Sequence, residues 1–229
     1  RQLIGVVPAA GIGSRFGGAL PKQFVEISGR PLLAWTLDRL LTCDIQLLVV
    51  AIEERLLDRA RMMRPDDSRI RWIVGGLSRQ ESVERCIRSY AGSADDLILV
   101  HDGARPAVAK EDLDATLAAA LKADGAVLGR SMADTIKHVE HGSICSTLDR
   151  TTLFQAETPQ VFRRAVLERG IERGHREGFV GTDEASLVEL LPDVEITAVE
   201  ATQPNPKLTE PADLAHIEWL LAQQFAGSN

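Results

Sequence analysis

Residues 6–22 read VVPAAGIGSRFGGALPK, and the rest of the chain is organised around this stretch. The apolar run at residues 3–7 leads directly into a loop that is rich in glycine. Glycine has no Cβ, so the backbone N–H groups of such a loop can approach a ligand closely and surround an anion. Arg15 and Lys22 add two positive charges. We interpret the loop as a cradle for a triphosphate; the alternative is a turn that is glycine-rich for geometry alone.

Two familiar phosphate-binding loops do not match this stretch. The dinucleotide-binding fingerprint G-x-G-x-x-G begins well at Gly11 and Gly13, but Phe16 stands at the place of its third glycine. The P-loop pattern, counted from Gly13, has Ala19 and Leu20 where it requires Lys and Ser or Thr. The loop is therefore of a different kind from either.

The composition is that of an ordinary globular protein. The chain has 229 residues, which is long enough for one large domain with a substantial core. Of these residues 45% are hydrophobic and 26% are charged, as is typical of globular domains. The net charge of −7 argues against an extended nucleic-acid surface, so phosphate groups would have to be held by a local cluster of cations. We predict a single domain over residues 1–229, without a nucleic-acid partner.

The location of the protein is predicted from signals that the sequence lacks. No apolar run approaches ~20 residues, the length that a membrane span needs, and the first residues show no basic leader with a cleavage site. Cys43, Cys86 and Cys145 form no C-x-x-C pair, which is typical of reduced thiols. We expect a cytoplasmic protein without membrane contact.

Strand-like and helix-like patterns alternate along most of the chain. Strand-like runs lie at residues 3–7, 45–52, 70–74, 97–100, 126–130 and 195–199, and the run at residues 45–52 is of the apolar kind found in buried parallel strands. Helical periodicity covers residues 31–41, 51–63, 78–90, 110–122, 163–177 and 212–225, and residues 181–186 open a further short helix with Thr182 or Asp183 as its cap. This rhythm predicts an α/β fold with a parallel sheet and helices on both faces.

Three segments suited to ligand binding directly follow predicted strands. They are the opening loop, residues 75–76 and residues 101–102. Ligands of parallel sheets bind at the carboxyl ends of strands, so we expect all three segments on one rim. Ser78 and Glu81 form the S-x-x-E pattern of a capping box, which predicts that a helix begins beside this rim and offers a second polar site.

The rhythm changes at Asp134. Residues 135–139 and 143–148 predict two strands around a turn, that is, a hairpin arm at about residues 134–150. A two-stranded hairpin is only marginally stable alone, so it needs a cover. That cover is either a subunit interface or the hairpin's own domain, and the pattern leaves both open.

Asp102 is the best candidate for a metal ligand. It immediately follows an apolar strand, and Mg²⁺ typically takes only one or two protein carboxylates, with waters and substrate phosphates completing its shell. The alternative is an aspartate that caps the following turn. His101 is interpreted as structural, since the histidines show no spacing typical of a zinc site.

The remaining cations and nucleophiles give weaker signals. The sequence has no G-x-S-x-G and no cysteine with an obvious histidine partner. That fits transfer between phosphates, which depends on positioning and charge neutralisation. Four further cations lie near predicted strand ends or turns, although each alone is typical of a solvated side chain; they are Arg105, Lys137, Arg150 and Lys207.

Seven short segments, in order along nearly the whole chain, carry a family resemblance. They are Pro8-Ala9-Ala10-Gly11 through Pro21-Lys22-Gln23, His101-Asp102-Gly103-Ala104-Arg105-Pro106, Asp134-Thr135, Asp149-Arg150, Thr158-Pro159-Gln160, Thr182-Asp183-Glu184-Ala185 and Lys207-Leu208-Thr209. Together they resemble the 2-C-methyl-D-erythritol 4-phosphate cytidylyltransferase family of the non-mevalonate isoprenoid pathway.

The resemblance implies a Rossmann-like nucleotidyltransferase fold, with a mostly parallel twisted sheet flanked by helices. It implies a homodimer built through the hairpin arm. It also implies Mg²⁺-dependent transfer of a cytidylyl group from CTP to methylerythritol phosphate, by in-line attack on the α-phosphate.

By position, the resemblance also assigns roles to residues. It implies that the catalytic residues are Arg15, Lys22 and Lys207. It implies that the nucleotide is bound by Ala9, Ala10, Gly11, Gly13, Gly76, Ser82 and Asp102, and that Asp102 also holds the metal. The acceptor would be bound by Arg105, Thr135, Arg150, Thr158, Thr182 and Lys207.

Two other functions stay open at this point. A cytidylyltransferase for another polyol phosphate, such as ribitol 5-phosphate, has a similar loop, although residues 134–135 and 182–184 favour methylerythritol phosphate. A non-catalytic dinucleotide-binding module is disfavoured by the missing third glycine and by Lys22. Two positions depart from the family's pattern: Leu77 stands where an acidic residue can occur, and Gly103 where alanine is frequent. Leu77 leaves the details of base recognition open.

Overall fold

The structure is a computed structural model that describes residues 1–11 and 21–226, so Gly13 and Arg15 lie outside it. Its strands are β1 (Leu3–Ala9), β2 (Glu26–Ile27), β3 (Arg30–Pro31), β4 (Leu47–Ile52), β5 (Ile70–Val74), β6 (Leu97–Val100), β7 (Gly125–Ser131), β8 (Lys137–Glu140), β9 (Ser143–Thr147), β10 (Phe154–Arg163) and β11 (Ile196–Glu200). Its helices are α1 (Leu32–Leu40), α2 (Leu57–Arg61), α3 (Arg79–Arg88), α4 (Lys110–Ala120), α5 (Arg164–Glu177), α6 (Glu184–Val188) and α7 (Asp213–Ala226).

In the described ranges, seven strands form one sheet in the order β11-β7-β10-β6-β1-β4-β5. β1 pairs in parallel with β4 and β6, β4 with β5, and β11 with β7. β10 runs antiparallel to both of its neighbours, β6 and β7. The predicted mostly parallel sheet is confirmed. The antiparallel strand within it was not predicted.

Both faces of the sheet are buried beneath helices. On β1, the neighbouring residues Val6 and Val7 are buried in two different apolar clusters, as the two-residue period of a strand requires. The Val7 cluster includes Leu33 of α1 and Leu113 of α4, while the Val6 cluster includes residues of α3 and α5. Parallel strands with two covered faces are apolar throughout, so the predicted α/β layering is confirmed.

One predicted helix is wrong at its start. Helical periodicity predicted a helix over residues 51–63, but Ala51 and Ile52 pair with β1 in the sheet. The chain then makes a short 3-10 turn at Glu54–Leu56, and α2 covers only Leu57–Arg61. Pairing beside β1 therefore outweighs the local helical pattern, because propensity is weaker than tertiary context.

The predicted starts of α3 and α6 are confirmed. Ser78 Oγ accepts a hydrogen bond from the N–H of Glu81 at 3.0 Å. Asp183 Oδ1 accepts one from the N–H of Ser186 at 2.9 Å, so Asp183 rather than Thr182 is the cap. Each cap satisfies an N–H that the first turn of a helix leaves without an intrahelical partner.

The predicted hairpin is confirmed as β8 and β9. The two strands are antiparallel, with Lys137 opposite Thr147, and Gly142 supplies the positive φ of 81° that their turn requires. Val139 and Ile144 on this hairpin are 52% and 67% exposed. Its role in a dimer stays a prediction.

The structure also shows the state of the cysteines and the character of the helices. All three cysteines lie within the described residues and are free thiols, with Cys43 and Cys86 buried and Cys145 exposed. In residues 1–11 and 21–226, no helix is both long enough and apolar enough to cross a membrane.

Candidate active site

A cavity of about 870 Å³ lies at the carboxyl ends of β1, β5 and β6. The described residues that line it include residues 9–11 of the opening loop, residues 75–76 and Asp102. Lys22 and Lys207 line it as well. For the described residues of the three segments, the prediction that they share one rim is confirmed.

The glycine pair after β5 is packed tightly against the opening loop. A Cβ on Gly75 would lie 2.3 Å from the Cβ of Ala10, so only glycine fits there. The N–H of Gly76 donates to Oγ of Ser82 at 3.0 Å, and Ser82 donates in turn to the carbonyl of Ser78 at 2.9 Å. The buried Ser82 side chain thus fixes the conformation of this cavity wall.

Leu77, which departs from the family's pattern, is fully exposed at the mouth of the cavity. Its N–H donates to Oε2 of Glu81 at 2.7 Å, and Arg85 also binds this carboxylate at 2.6 Å. The Leu77 N–H and the Arg85 side chain hold the pKa of Glu81 below its usual value. An acidic side chain therefore lies at this turn although position 77 is apolar.

Asp102 lies among three cations at the end of β6. Its Oδ1 is 3.1 Å from Nε of Arg79, and its Oδ2 is 2.8 Å from Nζ of Lys207 and 3.6 Å from Nε of Arg105. Burial alone would raise the pKa of Asp102, but these positive charges outweigh burial and hold the pKa well below its usual range. The carboxylate is therefore ionised at neutral pH, the state in which it can hold a metal ion.

Thr158 and His101 fix the backbone of Asp102. The Asp102 N–H donates to Oγ1 of Thr158 at 3.1 Å, and this hydroxyl lies 3.1 Å from Nδ1 of His101. Complete burial lowers the pKa of His101 to about 4, so the ring is neutral at pH 7. Its Nε2 therefore donates to the Arg105 carbonyl at 2.9 Å, and its Nδ1 accepts from Thr158. These contacts agree with the structural interpretation of His101.

Arg79 is a residue of the site that the sequence patterns missed. It is the first residue of α3 and it lines the cavity. Besides Asp102, its guanidinium binds both carboxylate oxygens of Glu184, at 2.7 and 2.9 Å. Glu184 is 2% exposed, and its burial raises its pKa in spite of this pair. The capping pattern at Ser78 is the sequence signal that could have found Arg79. It predicts that a helix begins beside the rim, so the first residue of that helix lies there too.

Lys22 and Gln23 hold the far end of the opening loop in place. Nε2 of Gln23 donates to the carbonyl of Gly11 at 3.1 Å, which ties the two ends of the loop together. Nζ of Lys22 donates to the carbonyl of Leu208 at 2.6 Å. Lys22 is therefore attached to the residue next to Lys207, and both lysines line the same cavity.

The predicted acceptor residues are placed less uniformly. Thr158 is buried behind Asp102, and Arg105 approaches the same carboxylate. Thr135, Arg150 and Thr182 are exposed, and the first two flank the hairpin. Within the described part of the chain, five of these residues are absent from the cavity lining; they are Arg105, Thr135, Arg150, Thr158 and Thr182. The described residues that were predicted to bind the nucleotide thus line one cavity, whereas Thr135, Arg150 and Thr182, predicted to bind the acceptor, do not line it.

The fold is that of the α/β nucleotidyltransferases, because the chain superposes over nearly its whole length on solved structures of that class. One is the crystal structure of a 4-diphosphocytidyl-2C-methyl-D-erythritol synthase, with a TM-score of 0.82 and 33% identity, covering 96% of this chain and 98% of that one. Another, from Thermus thermophilus, is a 2-C-methyl-D-erythritol 4-phosphate cytidylyltransferase with a TM-score of 0.80 and 30% identity, covering 97% of this chain and all of that one.

The sequence narrows this class to one family. The model of the IspD family, 2-C-methyl-D-erythritol 4-phosphate cytidylyltransferase, matches residues 3–223, so the chain belongs to this family. The enzyme of that name from Aeromonas hydrophila is 40% identical over 228 residues, covering 98% of this chain and 91% of that relative. The resemblance drawn from the seven sequence segments is confirmed.

Proposed function

We propose that this chain transfers a cytidylyl group from CTP to 2-C-methyl-D-erythritol 4-phosphate, giving 4-diphosphocytidyl-2-C-methyl-D-erythritol and pyrophosphate. The observation that carries the proposal is the convergence of Lys22, Lys207, Asp102 and residues 75–76 on one cavity. Two ammonium groups and an ionised carboxylate beside glycine backbone suit a triphosphate and a divalent cation. Membership of the family supports the choice of nucleotide and acceptor.

The nucleotide would lie along the wall formed by the opening loop and the glycine pair. We therefore assign the binding of CTP to Asp102, to Ser82 and to backbone groups. The residues that contribute the backbone groups are Ala9, Ala10, Gly11, Gly13 and Gly76. Ser82 supports this role through its hydrogen bond from Gly76, since that bond fixes the N–H and carbonyl groups of the cavity wall. Backbone groups held in this way can read the edge of a base at a fixed distance.

The reaction needs no general base, because the attacking phosphate monoester of the acceptor is already an anion. Its oxygen forms a bond with the α-phosphorus of CTP, and the bond from that phosphorus to the bridging oxygen breaks. Pyrophosphate leaves with the electron pair of that bond. Arg15, Lys22 and Lys207 offset the charge that develops in the transition state, which is the usual contribution of fixed cations to such reactions.

The residues at the end of β6 fit a divalent cation such as Mg²⁺. Asp102 is the carboxylate that would hold it, and its two oxygens offer about four lone-pair positions. Asp102 lines the cavity together with Arg79 and Lys207, and Mg²⁺ commonly uses one carboxylate together with substrate phosphates. When bound, the ion supplies charge neutralisation to the phosphates.

The acceptor would be bound by Arg105, Thr135, Arg150, Thr158, Thr182 and Lys207, in a homodimer that forms through the hairpin arm. The exposed apolar side chains of Val139 and Ile144 support such an interface. The positions of Thr135 and Arg150 beside the hairpin support it too, because an interface there would enclose them. We also place the enzyme in the cytoplasm, which the three free thiols favour.

Release of pyrophosphate from CTP tests this function. The purified protein is supplied with CTP, Mg²⁺ and either methylerythritol phosphate or ribitol 5-phosphate. We expect release with methylerythritol phosphate alone. Release only with ribitol 5-phosphate would show that the acceptor is ribitol 5-phosphate. Release with neither acceptor would contradict transfer and favour a nucleotide-binding module without catalytic activity.

A further inference from the structure

We propose that Arg79 is a positioning residue for the transfer reaction: it holds Asp102, and through Asp102 the ammonium group of Lys207, in the orientation used at the cavity. The proposal rests on the function proposed above, because it concerns the same reaction. Arg79 connects α3, the start of α6 and the end of β6, three elements that are distant in sequence.

The geometry is a row of four alternating charges. Glu184 binds the guanidinium of Arg79 with both oxygens, at 2.7 and 2.9 Å. The Nε of Arg79 donates to Oδ1 of Asp102 at 3.1 Å, and Oδ2 of Asp102 lies 2.8 Å from Nζ of Lys207. Because a guanidinium is planar, two hydrogen bonds to Glu184 fix the direction of the third N–H, which faces Asp102.

The anchor of this row is rigid. Glu184 is the first residue of α6, and Asp183 caps that helix through the N–H of Ser186. The N–H of Ala185 also donates to Oε1 of the buried Gln160 of β10, at 3.0 Å. Glu184 is therefore tied to the central sheet, so its carboxylate is a fixed point from which Arg79 can be oriented.

Stability alone does not account for this arrangement. A buried ion pair loses much of its attraction to the cost of removing two charges from water, and apolar pairs of similar volume are often as stable. Arg79 lines the cavity, whereas Glu184 is buried behind it. The pair thus delivers an oriented N–H to Asp102, a carboxylate that binds Lys207, which an apolar pair could not do.

Without Arg79, the remaining neighbours of Asp102 compete for both of its oxygens. Arg105 lies 3.6 Å from Oδ2, whereas Arg79 contacts the other oxygen, Oδ1. Rotation of the carboxylate would shift Lys207 with it. A displacement of this kind impairs the chemical step more than the binding of CTP, since the wall formed by the glycine pair and Ser82 is unchanged.

The test compares the single variant Arg79→Met with the double variant Arg79→Met/Glu184→Met. The single variant leaves Glu184 buried without its partner and should unfold at lower denaturant concentration, whereas the double variant should regain much of the lost stability. Asp102 keeps two cations in both. We expect kcat to stay about 10–100-fold below wild type in the double variant, the scale seen when an outer partner of a site residue is removed.

Two further variants complete the test. Arg79→Lys keeps the charge without the planar fork, so it should fold and recover only part of kcat. Arg88→Met is the matched control on the same helix: Arg88 is 73% exposed and pairs with the buried Glu84 at 3.3 Å. It should keep the wild-type kcat.

Three measurements decide between the outcomes: unfolding by denaturant, kcat, and the dissociation constant of CTP. A double variant with restored stability and wild-type kcat would show that Arg79 only supports the fold, and would overturn the proposal. A loss of CTP affinity as large as the loss of kcat would also overturn it, because Arg79 would then bind the nucleotide directly. Failure of the wild-type protein to turn over CTP with methylerythritol phosphate would refute the proposed function instead, irrespective of the variants.

Discussion

The ammonium group of Lys207 lies 2.8 Å from Oδ2 of Asp102, and both residues line the cavity. This contact joins the end of β6 to the segment that follows β11. It also places a fixed positive charge beside the carboxylate that we assign to the metal. The two residues therefore act as a unit, and removing either charge should affect the reaction through the other.

Substitution of Asp102→Asn tests this unit. The change leaves Arg79, Lys207 and Arg105 close together without their common anion, so we expect the free energy of unfolding to fall by about 3–5 kcal/mol. Turnover should fall by about 10²–10³, the scale for one preorganised charged group. Steady-state kinetics and urea unfolding measure the two effects. Asp58→Asn is the control, because the Asp58 side chain is 96% exposed, and losses as large in this control would contradict the role of Asp102.

Lys22→Ala should lower turnover by about 10²–10³ with the fold intact. The lysine side chain lines the cavity and donates to the Leu208 carbonyl at 2.6 Å, so its charge is already held in place before the reaction. Measurement of kcat with saturating CTP and methylerythritol phosphate checks this. Lys122→Ala is the control, because Lys122 is exposed and lies two residues beyond the end of α4. Near-normal turnover in a folded Lys22→Ala variant would remove Lys22 from the catalytic residues.

Two glycines of the cavity wall should respond differently to alanine. A Cβ on Gly75 would lie 2.3 Å from the Cβ of Ala10, so Gly75→Ala should lower both stability and affinity for CTP, since small-to-large changes in packed sites typically cost about 1–3 kcal/mol. A Cβ on Gly11 meets no described atom within 4 Å. Gly11→Ala should therefore leave the unfolding midpoint unchanged.

The affinity of Gly11→Ala for CTP then tests the cradle itself. If the nucleotide approaches the backbone of the loop closely, the added methyl group should weaken binding although stability is intact. Calorimetric titration with CTP measures the dissociation constant of each variant. Wild-type affinity in Gly11→Ala would show that the nucleotide does not contact the loop at this point.

The hairpin should hold a homodimer together. Val139→Ser/Ile144→Ser makes β8 and β9 polar without touching the central sheet, so sedimentation should show a monomer where the wild-type chain forms a dimer. Met62→Ser alters another exposed apolar residue, 74% exposed and distant from the hairpin in sequence, and should remain dimeric. A wild-type monomer, or a double variant that stays dimeric, would show that the hairpin is not the interface.

Elements were predicted well where local pattern and tertiary environment agree. The predicted strands at residues 70–74 and 97–100 match β5 and β6 to the residue, because short runs that are rich in β-branched or aromatic residues and are bounded by turn residues favour a strand over a helix. The antiparallel direction of β10 was not predictable, because direction depends on pairing with β6 and β7, which are remote in the chain.

The same contrast holds for the site. Asp102 and Gly76 could be placed on one rim because each follows the end of a predicted strand, whereas Ser82 was assigned to the site by the family resemblance. The pair of Arg79 and Glu184 could not, since the two residues are 105 positions apart and neither has a local pattern that indicates the other. Contacts of this kind depend on how α3 and α6 pack, which periodicity does not specify.

Burial of His101 should make stability depend on pH in a defined window. Its pKa is lowered to about 4 by complete burial, whereas an unfolded histidine has a pKa of about 6.5. Between these values the unfolded chain binds a proton that the folded chain does not, so the stabilisation is present above pH 6.5 and is lost as pH falls toward 4. The free energy of unfolding should lose up to about 3 kcal/mol over this range from this residue. His101→Gln should reduce the slope measured by urea unfolding, and the exposed His216→Gln should not; equal slopes in His101→Gln and wild type would contradict the assignment.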